Sequence, residues 1–295
     1  MKRTSLRDAM RAERPLVTPL AHDALSARLI ERAGFRAFAI GGSALLAARL
    51  ALPDIGLAAL GEMTDGISDI AAATRLPFLA DGDDGYGDLK SVVRTVEAYE
   101  RLGVGGILLE DQRRERKQPR AEAAKGVCDR AEIAQKLRAA LGARQDPETL
   151  IIGRTDAYGA LGLDEALARA EHFLALGVDG VFVAGLRTAD EYARVGRTLQ
   201  GATLSAAMFE GVGTPWLTPA ELGAMGFSHV SFPASLIFRA VGTMERTLRA
   251  LRRHADGVAP MDPAADSAHN RAVLDDALDV ARWQGLEALH ANTER

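Results

Sequence analysis

The sequence predicts an α/β protein built as a closed (β/α)8 (TIM) barrel. Four amphipathic segments each end at a glycine that a short apolar run follows at once, and these glycines are Gly34, Gly103, Gly177 and Gly226. Glycine is typical of the left-handed residue just past a helix end, and the apolar run has the length of a buried parallel strand. Repeated helix-to-strand joints of this kind indicate a chain of alternating helices and strands.

The spacing of these joints indicates further strands. From Gly34 to Gly103 is 69 residues and from Gly103 to Gly177 is 74, about twice the roughly 30 residues of one helix-plus-strand unit. The runs TRLPFLAD and PETLIIGR fill the two gaps. In chain order the predicted strands lie near 16–19, 37–41, 77–81, 106–110, 149–153, 180–183, 203–207 and 229–232. Eight strands alternating with helices favour a closed barrel over an open doubly wound sheet.

The C-terminal part of the chain changes character after the last barrel helix. We expect residues 1–254 to form the barrel domain, 255–271 a linker that contains Pro260 and Pro263, and 272–295 a helical extension. Apolar residues recur at helical spacing in the extension, so it must pack either on its own barrel or on a neighbouring subunit. We favour the neighbouring subunit.

Composition excludes several classes of protein. The 295 residues are 47% hydrophobic and 26% charged with a net charge of -4, as in ordinary soluble domains. This balance argues against nucleic acid or anionic lipid as a partner, and no apolar run is long enough for a membrane span. The single cysteine, Cys128, excludes an internal disulfide and a cysteine-rich zinc site. We therefore expect a cytoplasmic protein.

Acidic side chains follow several predicted strands, where the chemistry of such barrels is concentrated. Asp81 and Asp83 follow the third strand, Glu110 ends the fourth, Arg154 ends the fifth, and Asp54 follows the second. Carboxylates this close repel one another unless a cation lies between them, and a hard divalent cation prefers oxygen ligands. The pattern predicts Mg2+, with Mn2+ as a possible substitute. A solvated acidic turn and a structural salt bridge are the alternatives.

The predicted ion suggests a reaction. Mg2+ usually takes one or two carboxylates directly, which suits Asp83 as a ligand, with Asp81 and Glu110 around its water shell. It would stabilise the enolate formed from a 2-oxo acid, with Arg154 countering the same charge. The backbone amides of the glycine-rich turn around Ser43 could hold the substrate carboxylate.

At these residues the chain resembles the isocitrate lyase and phosphoenolpyruvate mutase superfamily. The matching motifs are GGSALLAARLALPDIG, LADGDDGYGD, GILLEDQ and IIGRTDA, with weaker matches at GVGTPWLTPAEL and SFPASLIFRA. The resemblance covers about residues 15–250. It implies a (β/α)8 barrel whose eighth helix is swapped between subunits of a homotetramer built of dimers. It also implies magnesium, and reactions that make or break a carbon-carbon or phosphorus-carbon bond beside an enolate.

The resemblance implies roles for individual residues. It assigns carboxylate binding to the turn at Gly42, Ser43 and Ala44, with further substrate contacts from Arg154 and Glu210. Asp81, Asp83 and Glu110 match the metal-shell acids. Arg154, Asp54 and Tyr86 match catalytic positions.

Departures from the superfamily pattern concern the substrate. The Lys-Lys/Arg-Cys-Gly-His motif of the lyases is absent, and Cys128 lies too late in the chain to replace its cysteine. Ala184 stands where the lyases have a glutamate, and Ala207 begins a stretch in which only Glu210 remains polar. A tricarboxylate would leave a carboxylate unpaired in such a pocket. These losses argue against an isocitrate lyase.

Three groups of residues have two interpretations each. The basic residues after the fourth strand either form a lid over an anionic substrate or a solvated loop, and we slightly favour the loop. His22 and His229 either face the site or pack within the barrel. The basic residues are Arg113, Arg114, Arg116, Lys117 and Arg120.

We therefore expect a Mg2+-dependent lyase that cleaves a carbon-carbon bond of a small 2-oxo or 2-hydroxy acid through a metal-stabilised enolate. Decarboxylation of oxaloacetate, or hydrolysis of phosphonopyruvate or an oxaloacetate-type substrate, is the alternative. A carboxylate-binding barrel without turnover is less favoured, because a protein that has lost activity would be free to lose Asp81, Asp83 and Glu110.

Overall fold

Eight parallel strands form one sheet that curls into a barrel. The computed structural model describes residues 4–118 and 126–291, with side chains described as far as residue 286. The strands are β1 Leu16–Pro19, β2 Phe38–Ile40, β3 Phe78–Asp81, β4 Gly106–Glu110, β5 Leu150–Thr155, β6 Gly180–Val183, β7 Leu204–Ala207 and β8 His229–Phe232. Their order is β1-β8-β7-β6-β5-β4-β3-β2, and a parallel bridge from Leu20 to Ala39 joins the two ends. The prediction of a (β/α)8 barrel is confirmed.

Helices connect the strands along the described chain. They are α1 Leu6–Ala12, α2 Ala24–Arg32, α3 Gly42–Leu50, α4 Leu60–Ala73, α5 Leu89–Arg101, α6 Arg130–Ala143, α7 Ala157–Leu161, α8 Leu163–Ala175, α9 Ala189–Thr198, α10 Pro219–Ala224, α11 Ser235–Ala255, α12 Ser267–Ala277 and α13 Val280–Ala291. The glycines of the four predicted joints all have positive φ, between 77° and 99°. The left-handed residue expected after each helix is therefore present, which explains why the strand positions were predictable.

Helix α1 covers the amino-terminal end of the barrel. Leu6 is buried at 1% exposure, and a Cβ on Gly106 would lie 2.9 Å from its side chain, so glycine at the start of β4 makes room for the helix. Arg7 binds Asp179 at 2.6 Å and attaches α1 to the segment before β6. The carboxyl ends of the strands lie at the opposite end of the barrel.

The chain separates into two compact units after Ile237. The second unit contains most of α11 together with α12 and α13. Phe238, Val241, Met244 and Leu248 of α11 are each at least half exposed. Helix α12 begins at Ser267, inside the segment predicted as a linker, and Asp279, with φ 56°, separates α12 from α13. Within the described part of the chain, the structure contains no helix with both the length and the apolar character needed to cross a membrane.

His229 lies in the barrel interior as a buried neutral side chain. Its Nε2 is 2.7 Å from Thr18 Oγ1 and its Nδ1 is 3.1 Å from Ser205 Oγ, both uncharged partners. Burial lowers the pKa of His229 to about 4. The interpretation of this histidine as part of strand packing therefore holds.

This buried histidine makes stability depend on pH. The unfolded chain takes up the histidine proton near pH 6.5, whereas the folded chain resists it down to about pH 4, so stability is lost as pH falls through this window. Between pH 7 and 4.5 we expect the free energy of unfolding to fall by about 2 to 3 kcal/mol more in the native protein than in His229→Gln. Chemical unfolding of both proteins across this range measures the difference, and parallel curves would contradict it.

Candidate functional site

Three buried carboxylates converge at the carboxyl end of β3 and β4. Asp81, Asp83 and Glu110 each place an oxygen within 4.8 Å of the others. Gly82 lets the loop after β3 lie directly against β4, because a Cβ there would come 2.8 Å from the Leu108 carbonyl. The Asp83 amide donates to Asp81 Oδ1 at 3.0 Å, and the Glu110 amide donates to the Asp83 carbonyl at 2.8 Å. Backbone contacts thus hold the predicted acids together.

Arg154 lies beside this acidic cluster because β5 pairs with β4. The two strands align the Cα atoms of Glu110 and Arg154, and Arg154 Nη1 is 2.9 Å from Glu110 Oε2. Arg154 also donates to Asp156 Oδ1 at 2.9 Å and lies 3.8 Å from Asp81 Oδ2. Its guanidinium therefore joins the acids of three successive strand ends.

Lys117 enters the acidic cluster from the segment after β4. Its Nζ lies 2.5 Å from Asp83 Oδ1, 2.9 Å from Asp54 Oδ1 and 3.4 Å from Glu110 Oε1. The side chain is only 8% exposed. One ammonium group thus joins carboxylates from the loop between α3 and α4, the loop after β3 and the end of β4, and it lies among the acids of the predicted metal site.

Burial dominates the protonation of these acids. It raises the pKa of Asp83 to about 6 and that of Glu110 to about 8, although Lys117 lowers both and Arg154 lowers that of Glu110. Burial works to lower the pKa of Lys117, but the carboxylates of Glu110, Asp83 and Asp54 together raise it. The ammonium of Lys117 therefore stays charged while the acids around it remain incompletely neutralised.

The charge balance fits a divalent cation. The linked network contains six carboxylates and four cations, so its formal excess is two negative charges: Asp54, Asp81, Asp83, Asp84, Glu110 and Asp156 against Arg114, Lys117, Lys136 and Arg154. Glu110 Oε2 is fully buried and accepts no hydrogen bond from the described residues, although Arg154 Nη1 is close. Clustered oxygen donors with an uncompensated charge are the ligand set that Mg2+ prefers.

The predicted carboxylate-binding turn forms the first turn of α3. Gly42, Ser43 and Ala44 begin this helix after the cap residue Gly41. Because Gly41 has no side chain, it gives the first backbone amides of α3 no side-chain acceptor. A Cβ on Gly42 would lie 3.7 Å from Asp54 Oδ2. The amide end of α3 thus lies next to Asp54, and a helix amino terminus favours an anion.

Two predicted site residues have side chains directed to other parts of the fold. The Tyr86 hydroxyl lies 2.9 Å from the Tyr99 hydroxyl and 3.4 Å from the Asp81 carbonyl, so it braces the acidic loop. Tyr86 has φ 59°, a strained value for a bulky residue, and its ring packs under the Arg114 guanidinium. Glu210 accepts a hydrogen bond from Ser235 at 2.6 Å.

Two basic residues of the segment after β4, Arg114 and Lys117, are held by acidic partners, whereas Arg116 is exposed. Arg114 binds Asp84 at 2.5 Å and donates to the Ala58 carbonyl at 2.8 Å, which ties the segment to the loop after β3 and the loop between α3 and α4. The slight preference for a solvated loop is therefore wrong for Arg114 and Lys117, because the acids around them supply partners that spacing alone did not reveal. Arg120 lies outside the described residues.

A buried ion pair beside the site agrees with the salt-bridge alternative for the acids that end β4, although the sequence did not indicate its arginine. Asp111 is fully buried and binds Arg169 at 3.0 Å, the Thr155 hydroxyl at 2.7 Å and the Asp156 amide at 2.8 Å. Arg169 also donates to the Cys128 carbonyl at 2.8 Å. Asp111 therefore connects β4, β5 and α8, and its position directly after Glu110 was the signal available in the sequence.

Cys128 and His22 are both predicted residues that lie in buried surroundings. The Cys128 thiol is buried in the core, and burial raises its pKa to about 12. Such a thiol is poorly suited to protonate a substrate, which agrees with its interpretation as a packing residue. His22 follows β1, and its buried Nδ1 has no hydrogen-bond partner among the described residues.

A pocket opens beside the acidic cluster, with Lys117 and Arg154 in its wall. The charged and amide residues that line the pocket are Asp54, Gln112, Lys117, Gln118, Arg154, Asp156 and Arg187. Phe182, Ala184, Ala207 and Phe209 line it from β6, β7 and the residues that follow them. The less polar lining expected at residues 184 and 207 is therefore present.

Comparison with known proteins identifies the family. The model of the phosphoenolpyruvate phosphomutase family matches residues 6–252. The chain belongs to this family. It is 35% identical over 257 residues to 2,3-dimethylmalate lyase of Eubacterium barkeri, covering 87% of this chain and 88% of that protein. It is also 38% identical over 190 residues to an oxaloacetate decarboxylase of Bradyrhizobium, covering 64% and 65% of the two chains.

Solved structures agree with the assignment to the phosphoenolpyruvate phosphomutase family. Oxaloacetate acetylhydrolase bound to 3,3-difluorooxalacetate superimposes with a TM-score of 0.85 at 31% identity, over 95% of this chain and 96% of that one. Phosphonopyruvate hydrolase with oxalate and Mg2+ gives a TM-score of 0.78 at 26% identity, over 96% of each chain. The chain is thus an enzyme of the isocitrate lyase and phosphoenolpyruvate mutase superfamily, whose members similar to it include carbon-carbon lyases.

Proposed function

We propose that this enzyme is a Mg2+-dependent lyase that cleaves a carbon-carbon bond of a small 2-oxo or 2-hydroxy acid. The observation that carries the proposal is the buried acidic cluster, in a network with a formal excess of two negative charges, directly beside Arg154 and an open pocket. When bound, the ion would act as a Lewis acid toward the oxyanion that develops as the bond breaks. In this proposal Asp83 would hold the ion directly, and Asp81 and Glu110 would hold it through water.

The chain's own residues bind and orient the substrate. The backbone amides at Gly42, Ser43 and Ala44 have no side-chain cap, and they lie at the positive end of the α3 helix dipole. This arrangement suits the binding of a substrate carboxylate. Arg154 supplies a fixed positive charge beside the position where enolate charge develops, because Asp156 and Glu110 hold its guanidinium in place. Asp54 lies between the α3 turn and the acidic cluster, where it can orient the substrate or its water.

Tyr86 and Glu210 have supporting roles in this proposal. Tyr86 positions the acidic loop through its contacts with Tyr99 and Asp81. Glu210 binds Ser235 at the start of α11 and would contact a substrate only by exchanging that partner.

A second candidate reaction is decarboxylation or hydrolysis of an oxaloacetate-type substrate. The lone thiol of the chain is buried in the core, so the described pocket offers no cysteine to protonate a departing enolate. A reaction whose proton comes from water meets that condition. Mn2+ would serve in place of Mg2+ in either reaction.

The family resemblance also suggests an oligomeric state and a cellular location for this protein. We propose a homotetramer built of dimers in which the apolar side chains of α11, half exposed in one chain, are covered by a neighbouring subunit. Sedimentation velocity tests this, and a monomer would contradict it. A cytoplasmic location is likewise our proposal, and cell fractionation tests it.

Product assays test the proposed reaction. Pyruvate formation would be measured from 2,3-dimethylmalate, 2-methylisocitrate, oxaloacetate and phosphonopyruvate, and oxalate and acetate formation from oxaloacetate, each with Mg2+ and with a chelator. We expect metal-dependent cleavage of a substituted malate. Turnover of oxaloacetate alone would instead support the second candidate. Binding of oxalate without turnover of any substrate would contradict both reactions and leave a carboxylate-binding barrel.

We expect the ammonium of Lys117 to weaken metal binding at this site. Its ammonium contacts Asp83 at 2.5 Å, so it competes for the carboxylate assigned to the ion. Lys117→Met keeps the length of the chain and removes the charge, and we expect Mg2+ and Mn2+ to bind at least about tenfold more tightly. Calorimetric titration measures this, with Lys90→Met, at an exposed site, as the matched control. Equal or weaker affinity in Lys117→Met would contradict the competition.

A further inference from the structure

The pocket has two chemically different sides. Strands β6 and β7 stand across the barrel from β2 and β3, because each lies four positions from its counterpart in an eight-stranded ring. The acids lie on the side of β2 to β5, together with Lys117 and Arg154. The side formed by β6, β7 and the residues after them is mostly apolar, and its apolar side chains are Phe182, Ala184, Ala207, Phe209 and Val212. Its polar lining residues include Thr214, whose hydroxyl donates to the Phe209 carbonyl, and the exposed Arg187.

Strand periodicity directs the small residues of this apolar wall into the barrel mouth. Phe182 and Ala184 are two residues apart, as are Ser205 and Ala207, so each pair lies on one face of its strand. Ser205 faces the interior, where it contacts His229, and Phe182 lies under the Arg154 guanidinium with 5.6 Å between Cζ and the ring centroid. Ala184, directly after β6, and Ala207, the last residue of β7, are therefore the last inward-facing residues at these two strand ends, and both line the pocket.

We propose that this wall receives an alkyl group of the substrate and selects against a second carboxylate at that end. The inference rests on the proposed function, since the metal-held carboxylate fixes which end of the substrate faces the wall. An aliphatic group gains about fourfold in affinity for each methylene that it buries. A carboxylate placed there would lose its water without gaining a partner from the five wall residues.

Arg187 is the cation on this side among the lining residues that the structure describes, and its side chain is exposed. Its backbone amide donates to Glu191 Oε2 at 2.7 Å, and Glu191 also accepts a hydrogen bond from Tyr158, a neighbouring lining residue, at 2.8 Å. The buried part of this wall therefore contains no cation among the described residues.

Equilibrium binding of non-reacting 2-oxo acids tests the proposal. Calorimetry with Mg2+ present would compare pyruvate, 2-oxopentanoate and 2-oxoglutarate, the last two having the same chain length but ending in methyl or carboxylate. We expect 2-oxopentanoate to bind about tenfold more tightly than pyruvate and at least about 100-fold more tightly than 2-oxoglutarate. Equal or tighter binding of 2-oxoglutarate overturns the proposal.

Oxalate separates failure of this inference from failure of the proposed function. If oxalate and pyruvate bind but the preference for 2-oxopentanoate is absent, the inference alone is wrong. If oxalate does not bind with Mg2+ present, the proposed function fails and the inference fails with it.

Two variants test whether the apolar wall causes the preference for 2-oxopentanoate over 2-oxoglutarate. Phe209→Arg should weaken 2-oxopentanoate and strengthen 2-oxoglutarate by at least about tenfold each, whereas Leu29→Arg on α2 adds the same charge outside the pocket and should change neither. Ala207→Leu fills the wall without adding charge. It should weaken 2-oxopentanoate at least about tenfold while leaving pyruvate within about threefold. Unchanged selectivity in a folded Ala207→Leu protein would overturn the assignment.

Discussion

Asp83→Ala will lose divalent-cation binding and at least about 1,000-fold in turnover while remaining folded. The loss is large because a Lewis acid contributes several kcal/mol to the transition state, and each 1.36 kcal/mol is a factor of ten. Stability should change little, because burial raises the pKa of Asp83 to about 6 and so already opposes its charged form. Lys117 keeps Asp54 and Glu110 as partners.

Steady-state kinetics and thermal melts of Asp83→Ala measure both parts of this prediction. Asp164→Ala, at a side chain that is 86% exposed and paired with Arg194, is the matched control and should match the native protein in both. Substantial metal-dependent turnover in Asp83→Ala would show that the metal is assigned to the wrong acids. A melting point more than about 10 °C lower would show that Asp83 is primarily structural.

Asp111→Ala will destabilise the fold by about 3 to 5 kcal/mol. Removing Asp111 takes away the buried partner of Arg169, which is only 4% exposed and would keep only the partly exposed Glu165 as a carboxylate partner. The Thr155 hydroxyl and the Asp156 amide would lose their acceptor as well. Because these residues follow Arg154 directly, we also expect the pocket to lose its ordered geometry.

Chemical unfolding of Asp111→Ala and of the double variant Asp111→Ala/Arg169→Met measures this coupling. The double variant should be less destabilised than the sum of the two single changes, since it leaves no unpaired buried charge. Additive losses, or a loss below about 1 kcal/mol in Asp111→Ala, would contradict the role of this pair.

The barrel and the acidic cluster were predictable because their signals are local in sequence. Each strand is a short apolar run, four follow a glycine that the structure places at positive φ, and each acid comes within two residues of a strand end. Parallel strands bring their carboxyl ends to one rim, so Asp81, Asp83, Glu110 and Arg154 had to be neighbours once the barrel was assigned.

Features set by irregular backbone or by tertiary pairing were not predictable. Lys117 reaches Asp83 only because the segment after β4 turns back over the rim, and no periodic pattern encodes that path. Tyr86 matches a motif, yet its hydroxyl contacts Tyr99, which is 13 residues away on α5. The break at Asp279 depends on a left-handed residue that apolar spacing does not reveal.

Metal titration tests the central claim most directly. Metal-free protein would be titrated calorimetrically with Mg2+ in the presence of oxalate, and Asp83→Ala would be titrated in parallel. A buried cluster of Asp81, Asp83 and Glu110 with excess negative charge predicts one ion bound per chain and none in Asp83→Ala. No saturable binding to the native protein, or equal binding to both proteins, would contradict the metal centre and the reaction proposed from it.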